Sequence, residues 1–301
     1  MEMLADIEVR HAEDADMRAC RMLLPMAFTA GSAPELVVAV RRGAVATEHS
    51  LVGACALSWC NAPKPEPEPG GFPCMLHVVP SHRRRGIGRV LIEAAVAWCR
   101  SDTTGLRSWL PVPDASEAAA FLEGVGFGCH HRTLHFETGL APFHVIVDGL
   151  RGRMQRTGRL LQDARIVPLA AAPAWDVAAL VAPEFAAPHA AILRRLSPTA
   201  LDAFDLQRSV ALYVGSDLAG VLIYSWHGGD VEIEVIVVSP AFRAGAANVL
   251  LLEAATRTAL DGGAERFRFF CDERTRDTLG LARRAGASPT RIDAEYRRAL
   301  T

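Results

Sequence analysis

The chain lacks the features that mark disulfide-built, membrane-spanning and nucleic-acid-binding proteins. Its seven cysteines are odd in number, form no C-x-x-C pair and mostly lie inside apolar runs, which predicts reduced, buried thiols. No apolar stretch reaches membrane-spanning length, and the N-terminal MEMLADIEVRHAEDADMR carries charges where a signal peptide needs an apolar segment. The formal charge of −2 gives no support to nucleic-acid binding. We therefore expect a cytoplasmic globular protein with neither nucleic acid nor a membrane as a partner.

The most informative stretch is LHVVPSHRRRGIGRVLIEAA, residues 76–95. It has the pattern of an apolar strand, a basic glycine-containing loop and an amphipathic helix. Glycines let a backbone approach an anion closely, and the unpaired N–H groups at a helix start point to the same place. The stretch thus predicts a pyrophosphate pocket. The residues expected to form it are Arg83, Arg84, Arg85, Gly86, Ile87, Gly88 and Arg89.

The spacing R-x-x-G-x-G after a V-x-P strand end resembles the acetyl-CoA-binding motif of the Gcn5-related N-acetyltransferase (GNAT) superfamily. The resemblance implies a mixed α/β fold with a mostly antiparallel sheet splayed open beside the motif strand. It implies acetyl-CoA as co-substrate and no metal. Pantetheine would pair with the backbone near His77, Val78 and Val79, and the thioester carbonyl would lie at an N–H near Val78. Ser116 lies near the position where the family often keeps an Asn close to the cofactor, but a helix cap is the favoured interpretation, with Asp114 as a competitor for the cap.

An internal repeat organises the chain. VVPSHRRRGIGRVLIEAA aligns without a gap to VSPAFRAGAANVLLLEAA, so that Arg83 falls on Arg243, an offset of 160 (243 − 83). Upstream, SLVGACALSWC matches DLAGVLIYSWH. We therefore predict two tandem acyl-CoA N-acyltransferase folds: residues 1–147, a linker at 148–164, and residues 165–301. This layout is similar to that of mycothiol synthases, although the substrate cannot be carried over.

The two copies differ in the motif. The second keeps one arginine of the three, Arg243, and has Ala246 where the first has Gly86. A Cβ at that position hinders a positive-φ turn, so we expect only the first copy to bind acetyl-CoA productively. The second copy nevertheless keeps two carboxylates, Glu232 and Glu234, on its motif strand.

The catalytic groups that the family commonly uses are missing from the first copy. Eleven residues before the motif arginine, where some members place a glutamate, stand Phe72 in the first copy and Glu232 in the second. The position of the family's tyrosine acid holds Leu122 in the first copy and Ala282 in the second. No tyrosine occurs before Tyr213.

His77 is the candidate base, because an unperturbed histidine pKa of about 6.5 suits proton transfer near neutrality. A structural role for His77, proton transfer through water, and catalysis mainly by positioning remain alternatives. His82, in the loop, is read as a polar or packing residue. Trp98 is expected in the core, and Trp109 either fills the core or lines the acceptor pocket.

These observations predict an acetyl-CoA-dependent N-acetyltransferase that acts on a primary amine of a small molecule by direct transfer in a ternary complex. A non-catalytic acyl-CoA-binding or regulatory module is the alternative, favoured by the missing Glu and Tyr. A scaffold that no longer binds CoA conflicts with the intact loop from Arg83 to Gly88. The oligomeric state, including a homodimer, is left open.

Overall fold

The computed structural model describes residues 6–28, 34–42, 50–57, 72–99, 105–184, 189–243 and 245–300. Its strands are β1 (Ile7–His11), β2 (Glu35–Arg41), β3 (Leu51–Leu57), β4 (Phe72–Val78), β5 (Gly105–Ser108), β6 (Val112–Pro113), β7 (Gly128–Gly139), β8 (Ala164–Pro168), β9 (Val210–Val214), β10 (Asp217–His227), β11 (Asp230–Val238), β12 (Arg266–Asp272) and β13 (Pro289–Ala299). Its helices are α1 (Met17–Leu23), α2 (Ile87–Trp98), α3 (Glu117–Gly124), α4 (Leu140–Arg156), α5 (Ala174–Glu184), α6 (His189–Arg195), α7 (Ala246–Asp261) and α8 (Arg276–Arg284). No helix in these ranges is both long and apolar enough to cross a membrane.

The chain divides into two compact units. The described residues of the first unit lie within Met1–Asn61, Glu66–Arg132 and Asp293–Thr301. Its sheet has the strand order β1-β2-β3-β4-β5-β13. These pairs are antiparallel except for β4 and β5, which run parallel. A mostly antiparallel sheet with helices on its faces confirms the predicted mixed α/β class.

Two helices cover the faces of the first sheet. On α2 the apolar residues recur at helical spacing, so Ile87, Leu91 and Ala95 point to one side and are buried. Each buried Leu or Ile contributes about 1.5–3 kcal/mol to stability. On the other face, Cys20 of α1 is buried in a cluster with β2 and β3 side chains. The motif strand β4 therefore lies between two packed layers.

The second unit, whose described residues lie within Thr133–Ile292, repeats this plan. Its sheet has the order β7-β12-β11-β10-β9-β8, and β11 and β12 are again the parallel pair. Helices α4 and α7 contribute to the cluster on one face, whereas α5 and α6 contribute to the other.

Two glycines show that the copies correspond in detail. A Cβ on Gly53 would lie 3.0 Å from Leu91 Cδ1 and 3.1 Å from the His77 carbonyl oxygen. A Cβ on Gly220 would lie 3.0 Å from Leu251 Cδ1 and 2.9 Å from the Val237 carbonyl oxygen. Glycine at both positions lets the motif helix and the motif strand approach the neighbouring strand closely. Leu91 and Leu251, like His77 and Val237, are 160 residues apart (251 − 91; 237 − 77), which agrees with the sequence repeat.

The strand that completes the first sheet is not the one that the sequence predicts. The sequence predicts that CHHRTLHFE closes the first sheet, but residues 133–139 of β7 pair with β12 in the second unit. The first sheet is completed by residues 293–299 of β13, where Ala294 and Tyr296 are fully buried. The expectation fails because alternating polarity shows that a segment is a strand without showing which sheet it joins. The predicted domain boundaries, at residues 147 and 165, describe the sequence repeat and remain a prediction. Helix α4 begins before the predicted linker and runs into it, burying Phe143 and Val147.

Candidate active site

The parallel strands of the first unit separate partway along β4. In the described residues, β5 pairs with β4 only from Phe72 to Cys74. The Trp109 N–H then donates to the Cys74 carbonyl at 3.0 Å, and β4 continues to Val78. The edge of β4 beyond Cys74 therefore faces an opening between the two strands.

Strand alternation decides which backbone groups face that opening. The Val79 N–H donates to the Val52 carbonyl of β3 at 2.9 Å. Because successive residues present their backbone groups to opposite edges, those of His77 also face β3, whereas those of Leu76 and Val78 face the opening. Three residues are predicted to pair with pantetheine, and of these only Val78 directs its backbone groups to the opening. Leu76 was missed, although the period of two could have identified it.

The basic loop brings the chain from β4 into α2 through a left-handed turn. Gly86 has φ +84° and forms the N-cap of α2. The first intrahelical bond joins the Val90 N–H to the Gly86 carbonyl, so the N–H groups of Ile87, Gly88 and Arg89 precede it. Three unpaired N–H groups at a helix start form the anion-binding geometry that the sequence predicts.

The arginines of the loop are exposed and held by different partners. Arg83 Nε donates to the Val78 carbonyl at 3.0 Å, which fixes the loop against the end of β4. Arg84 forms an exposed ion pair with Glu117 at 2.8 Å. Arg89 donates to the Gly124 carbonyl at 2.9 Å, on the side of α3. Three positive charges, from Arg83 to Arg85, thus surround the start of α2.

Gly88 and Ser116 have structural roles in this site. A Cβ on Gly88 would lie 3.0 Å from the Phe121 ring, so glycine here allows α2 and α3 to pack closely. The Ser116 hydroxyl accepts a hydrogen bond from the Ala119 N–H at 3.1 Å and caps α3. The cap is one of the two roles considered for Ser116, and its contact with a cofactor stays a prediction.

His77 lies half-buried on the face of β4 opposite to α2. Leu76 and Val78 pack against the cluster that contains α2, whereas Met75, in phase with His77, packs against the cluster that contains α1. Burial, and after it the charge of Arg83, lowers the pKa of His77 below its ordinary value. The imidazole is therefore neutral at pH 7 and able to accept a proton.

His82 is held at the surface of the loop. Its Nδ1 lies 2.9 Å from the Ser81 hydroxyl. Burial, followed by the charges of Arg85 and Arg41, lowers its pKa. These contacts agree with its expected role as a polar residue of the loop.

The second copy has the same opening but a shorter loop. Strand β11 pairs with β12 only from Asp230 to Glu232 in the described residues, and Arg243 Nε donates to the Val238 carbonyl at 3.1 Å. Gly245 has φ +92° and forms the N-cap of α7. The expectation that Ala246 hinders the turn is therefore wrong, because the positive φ moves one residue earlier and Ala246 is helical. The second loop is one residue shorter because α7 begins one residue earlier in the repeat than α2, and it lacks two of the three arginines.

A β-bulge changes the alignment of the motif strands. The pairing of β10 with β11 shifts between Ile223 and Tyr224, which leaves Glu234 as the additional residue. Glu232 therefore corresponds to Pro73 and not to Phe72, as the ungapped count suggested. Glu234 forms an ion pair with Arg195 at 2.6 Å and lines a cavity of about 270 Å³.

Comparison with known proteins now identifies the family. The sequence model described as the acetyltransferase (GNAT) family matches residues 7–127. A mycothiol acetyltransferase from Clavibacter sepedonicus is 28% identical over 234 residues, which cover 76% of this chain and 73% of that protein. A GCN5-related N-acetyltransferase structure from Sphaerobacter thermophilus covers 98% of this chain and 96% of its own at 14% identity, with a TM-score of 0.56. A tandem GNAT protein from the clavulanic acid biosynthesis pathway covers 98% and 99% at 18% identity, with a TM-score of 0.55.

This chain matches the GNAT family at residues 7–127 and is similar in fold, over nearly its whole length, to a tandem GNAT structure. It is therefore an acyltransferase of the class that carries out acetyl transfer, and GNAT enzymes use acetyl-CoA as co-substrate. The two structural relatives show that the tandem fold extends over nearly the whole chain. The resemblance stated from the motif and the repeat is confirmed.

A buried tyrosine lies near the last helix of the first GNAT copy, where sequence analysis found none. The Tyr296 hydroxyl, from β13, donates to Glu123 of α3 at 3.2 Å. Burial, and after it this hydrogen bond, raises the pKa of Tyr296 to about 12. Tyr296 is fully buried, so it packs in the core and keeps its proton. Counting along the local motif missed Tyr296 because β13 lies far along the chain from α3.

Two tryptophans lie at the ends of elements in the first copy. Trp98 was expected in the core but is 36% exposed, and its ring lies 5.1 Å from that of His11. It is the last residue of α2. Trp109 is half-buried just after the point where β4 and β5 separate.

One group of side chains could hold a metal ion among the described residues. Ligand atoms of His130, His131 and Glu295 lie within 4.8 Å of one another. Glu295 already accepts a hydrogen bond from Arg297 Nε at 2.7 Å. The carboxylate is therefore charge-balanced by an arginine of its own strand.

Proposed function

We propose that the first copy transfers an acetyl group from acetyl-CoA to a primary amine of a small molecule. The observation that supports this most is one combination of features: an open edge on β4 next to a three-arginine loop at the start of α2. The N–H groups of Ile87 and Gly88, with the charges of Arg83 to Arg85, would hold the pyrophosphate. Pantetheine would pair with the backbone of Leu76 and Val78 along the opening.

The chemistry follows from this placement. The amine attacks the thioester carbonyl carbon, and the Val78 N–H stabilises the oxyanion that forms. The nitrogen then loses its extra proton to solvent, the thiolate leaves, and solvent protonates the thiolate. An alkylammonium acceptor must first lose a proton, and neutral His77 accepts it directly or through water. Holding both substrates together in a ternary complex supplies much of the rate.

The alternative is a non-catalytic acyl-CoA-binding module. It is favoured by the side chains at the family's acid and base positions, since Leu122 and Phe72 are apolar and half-buried. In this role the same loop and strand edge would bind acyl-CoA without an acceptor site. The two functions thus share the binding step and differ only in turnover.

Thiol release from acetyl-CoA with a panel of primary amines separates the two. We expect release that depends on the amine, initial-rate plots that intersect when both substrates are varied, and loss of release in Arg85→Ala/Gly86→Ala. The matched control is Gly245→Ala, which alters the corresponding turn of the second copy. Binding of acetyl-CoA without release by any amine would support the non-catalytic module, and parallel initial-rate plots would contradict direct transfer.

A further inference from the structure

Arg107 lies beside the opening of the first copy. It belongs to the short parallel ladder of β4 and β5, opposite Pro73 and one residue before the strands separate. Its neighbour Leu106 is fully buried in the cluster that contains α2, so strand alternation directs Arg107 to the other face. That face is also the face of His77. An acceptor approaching the thioester from this side would meet the guanidinium.

No group among the described residues balances the charge of Arg107. Its cross-strand neighbour on β13 is Arg297, and like charges in directly opposite positions are unfavourable. Glu295 compensates Arg297 at 2.7 Å. The Nε of Arg107 is buried without a hydrogen-bond partner among the described residues, and no described carboxylate pairs with it. A buried donor left unsatisfied is unfavourable, so this position favours an acceptor atom from a ligand.

The second copy shows what satisfies an arginine at this position. There the parallel ladder places Arg268 directly after Phe267, which is fully buried like Leu106. Arg268 therefore corresponds to Arg107. Its cross-strand neighbour is Glu137, whose carboxylate accepts from Arg268 Nε at 2.9 Å.

A second carboxylate completes the arrangement in that copy. Asp230 lies 2.6 Å from a terminal nitrogen of Arg268. Asp230 also pairs with Arg266 at 2.6 Å, so it is shared between two arginines. The protein itself thus supplies the carboxylate of Glu137 at the cross-strand position where the first copy supplies Arg297. The group missing beside Arg107 is accordingly a carboxylate, which matches the guanidinium in charge and in its two-pronged geometry.

We infer that Arg107 binds a carboxylate carried by the acceptor, so that the acceptor is an amine that also bears a carboxylate. The inference rests on the proposed acetyl transfer and specifies its substrate class. Arg107 would determine acceptor specificity and orient the amine toward the thioester. It takes no part in proton transfer.

Acetylation of matched amine pairs tests this inference. Each pair differs by one carboxylate, as in 4-aminobutanoate and propylamine, or lysine and pentane-1,5-diamine. In the wild type we expect kcat/KM for the carboxylate-bearing amine to exceed that of its partner by about 10- to 100-fold, the range of a charge-assisted hydrogen bond. Arg107→Gln should abolish this ratio, and Arg107→Lys should retain part of it. The KM for acetyl-CoA should not change in either variant.

Arg268→Gln is the matched control, since it removes the corresponding arginine of the second copy and should leave the ratio intact. A wild-type ratio near one, or a ratio that survives in Arg107→Gln, overturns the inference. If no amine is acetylated, the proposed function fails separately, and calorimetric titration of succinate then decides the role of Arg107. Succinate binding that Arg107→Gln abolishes supports it, whereas absent or unchanged binding contradicts it.

Discussion

The two copies share one scaffold and differ in how their charges are balanced. Gly53 and Gly220 receive the motif helix in the same way, and both motif strands separate from a parallel neighbour after three paired residues. In the second copy, however, Arg268 is neutralised by carboxylates of the protein, whereas Arg107 has no such partner in the described part of the first copy. The same scaffold can therefore be kept while carboxylates of the protein neutralise its arginines. The first copy instead leaves an arginine whose charge a ligand can neutralise.

The loops that lead into α2 and α7 likewise share a turn and differ in charge. Both helices begin at a glycine with positive φ, so the turn survives in both copies. The second loop is one residue shorter because α7 begins one residue earlier in the repeat, and it retains only Arg243 of the three arginines. The N-terminal N–H groups of α7 and this one arginine would then have to hold a pyrophosphate. Charge around the turn, more than the turn itself, distinguishes the copies.

Removal of the last nine residues should have the largest effect. A chain ending at Ile292 loses Ala294 and Tyr296, which are fully buried in the first unit, together with the strand that pairs with β5 and β6. Loss of one large buried side chain alone costs about 3–5 kcal/mol. We expect the first unit to unfold and acetyl-CoA binding to disappear, as measured by thermal unfolding and calorimetry. Wild-type binding by the truncated chain would show that β13 is dispensable to the first copy.

Matched glycine variants test whether the copies differ in ligand binding alone. Gly86→Ala and Gly245→Ala should each lose about 1–2 kcal/mol of stability, because both positions are left-handed. Only Gly86→Ala should also raise the KM for acetyl-CoA, by about 10-fold or more if 1.4 kcal/mol of binding is lost. Thermal unfolding and initial rates measure the two effects. An equal rise in KM for Gly245→Ala would place acetyl-CoA in both copies.

His77→Gln tests the base of the first copy. We expect kcat to fall by about 10²-fold, the lower range for loss of a general base. Because the pKa of His77 is lowered, its neutral form persists at pH 7 and is lost only as the pH falls through a value below 6.5. The wild-type pH profile of kcat/KM should fall there, and the variant should lack this limb. His82→Gln, the control in the loop, should keep it.

Tyr296→Phe should have the smallest effect. It removes one hydrogen bond to Glu123 from the first unit, worth about 1 kcal/mol of stability. Because burial raises the pKa of Tyr296 to about 12, its phenol stays protonated across the assay range. A slightly lower melting temperature with unchanged pH dependence of kcat is expected. A lost alkaline limb would instead assign Tyr296 a role in proton transfer.

Local patterns predicted much of this structure. The turn into α2 follows from strand, loop and helix signals that lie within twenty residues of one another. The repeat follows from two segments 160 residues apart (243 − 83), and the fold class follows from the resemblance of the motif to the GNAT superfamily. The placement of β7 and β13 does not, because strand periodicity carries no information about the partner strand. The bulge at Glu234 also escaped, and a shift of one residue moved Glu232 from the position of Phe72 to that of Pro73.

Arg107 is a residue of the candidate site whose role could not be predicted from the sequence. In the sequence it is one arginine in LRSWLPV and resembles any solvent-exposed charge on a short strand. Its significance depends on Arg297 of β13, 190 residues away (297 − 107), and on the pairing of Arg268 with Glu137. Charge balance is a property of neighbours in space, so it becomes visible only once both sheets are known.

Calorimetric titration of acetyl-CoA tests the central claim, that only the first copy binds the cofactor, most directly. We predict one molecule bound per chain in the wild type and none in Arg85→Ala/Gly86→Ala. Two molecules per chain, or one that the double variant still binds, would contradict the claim and assign a cofactor site to the second copy.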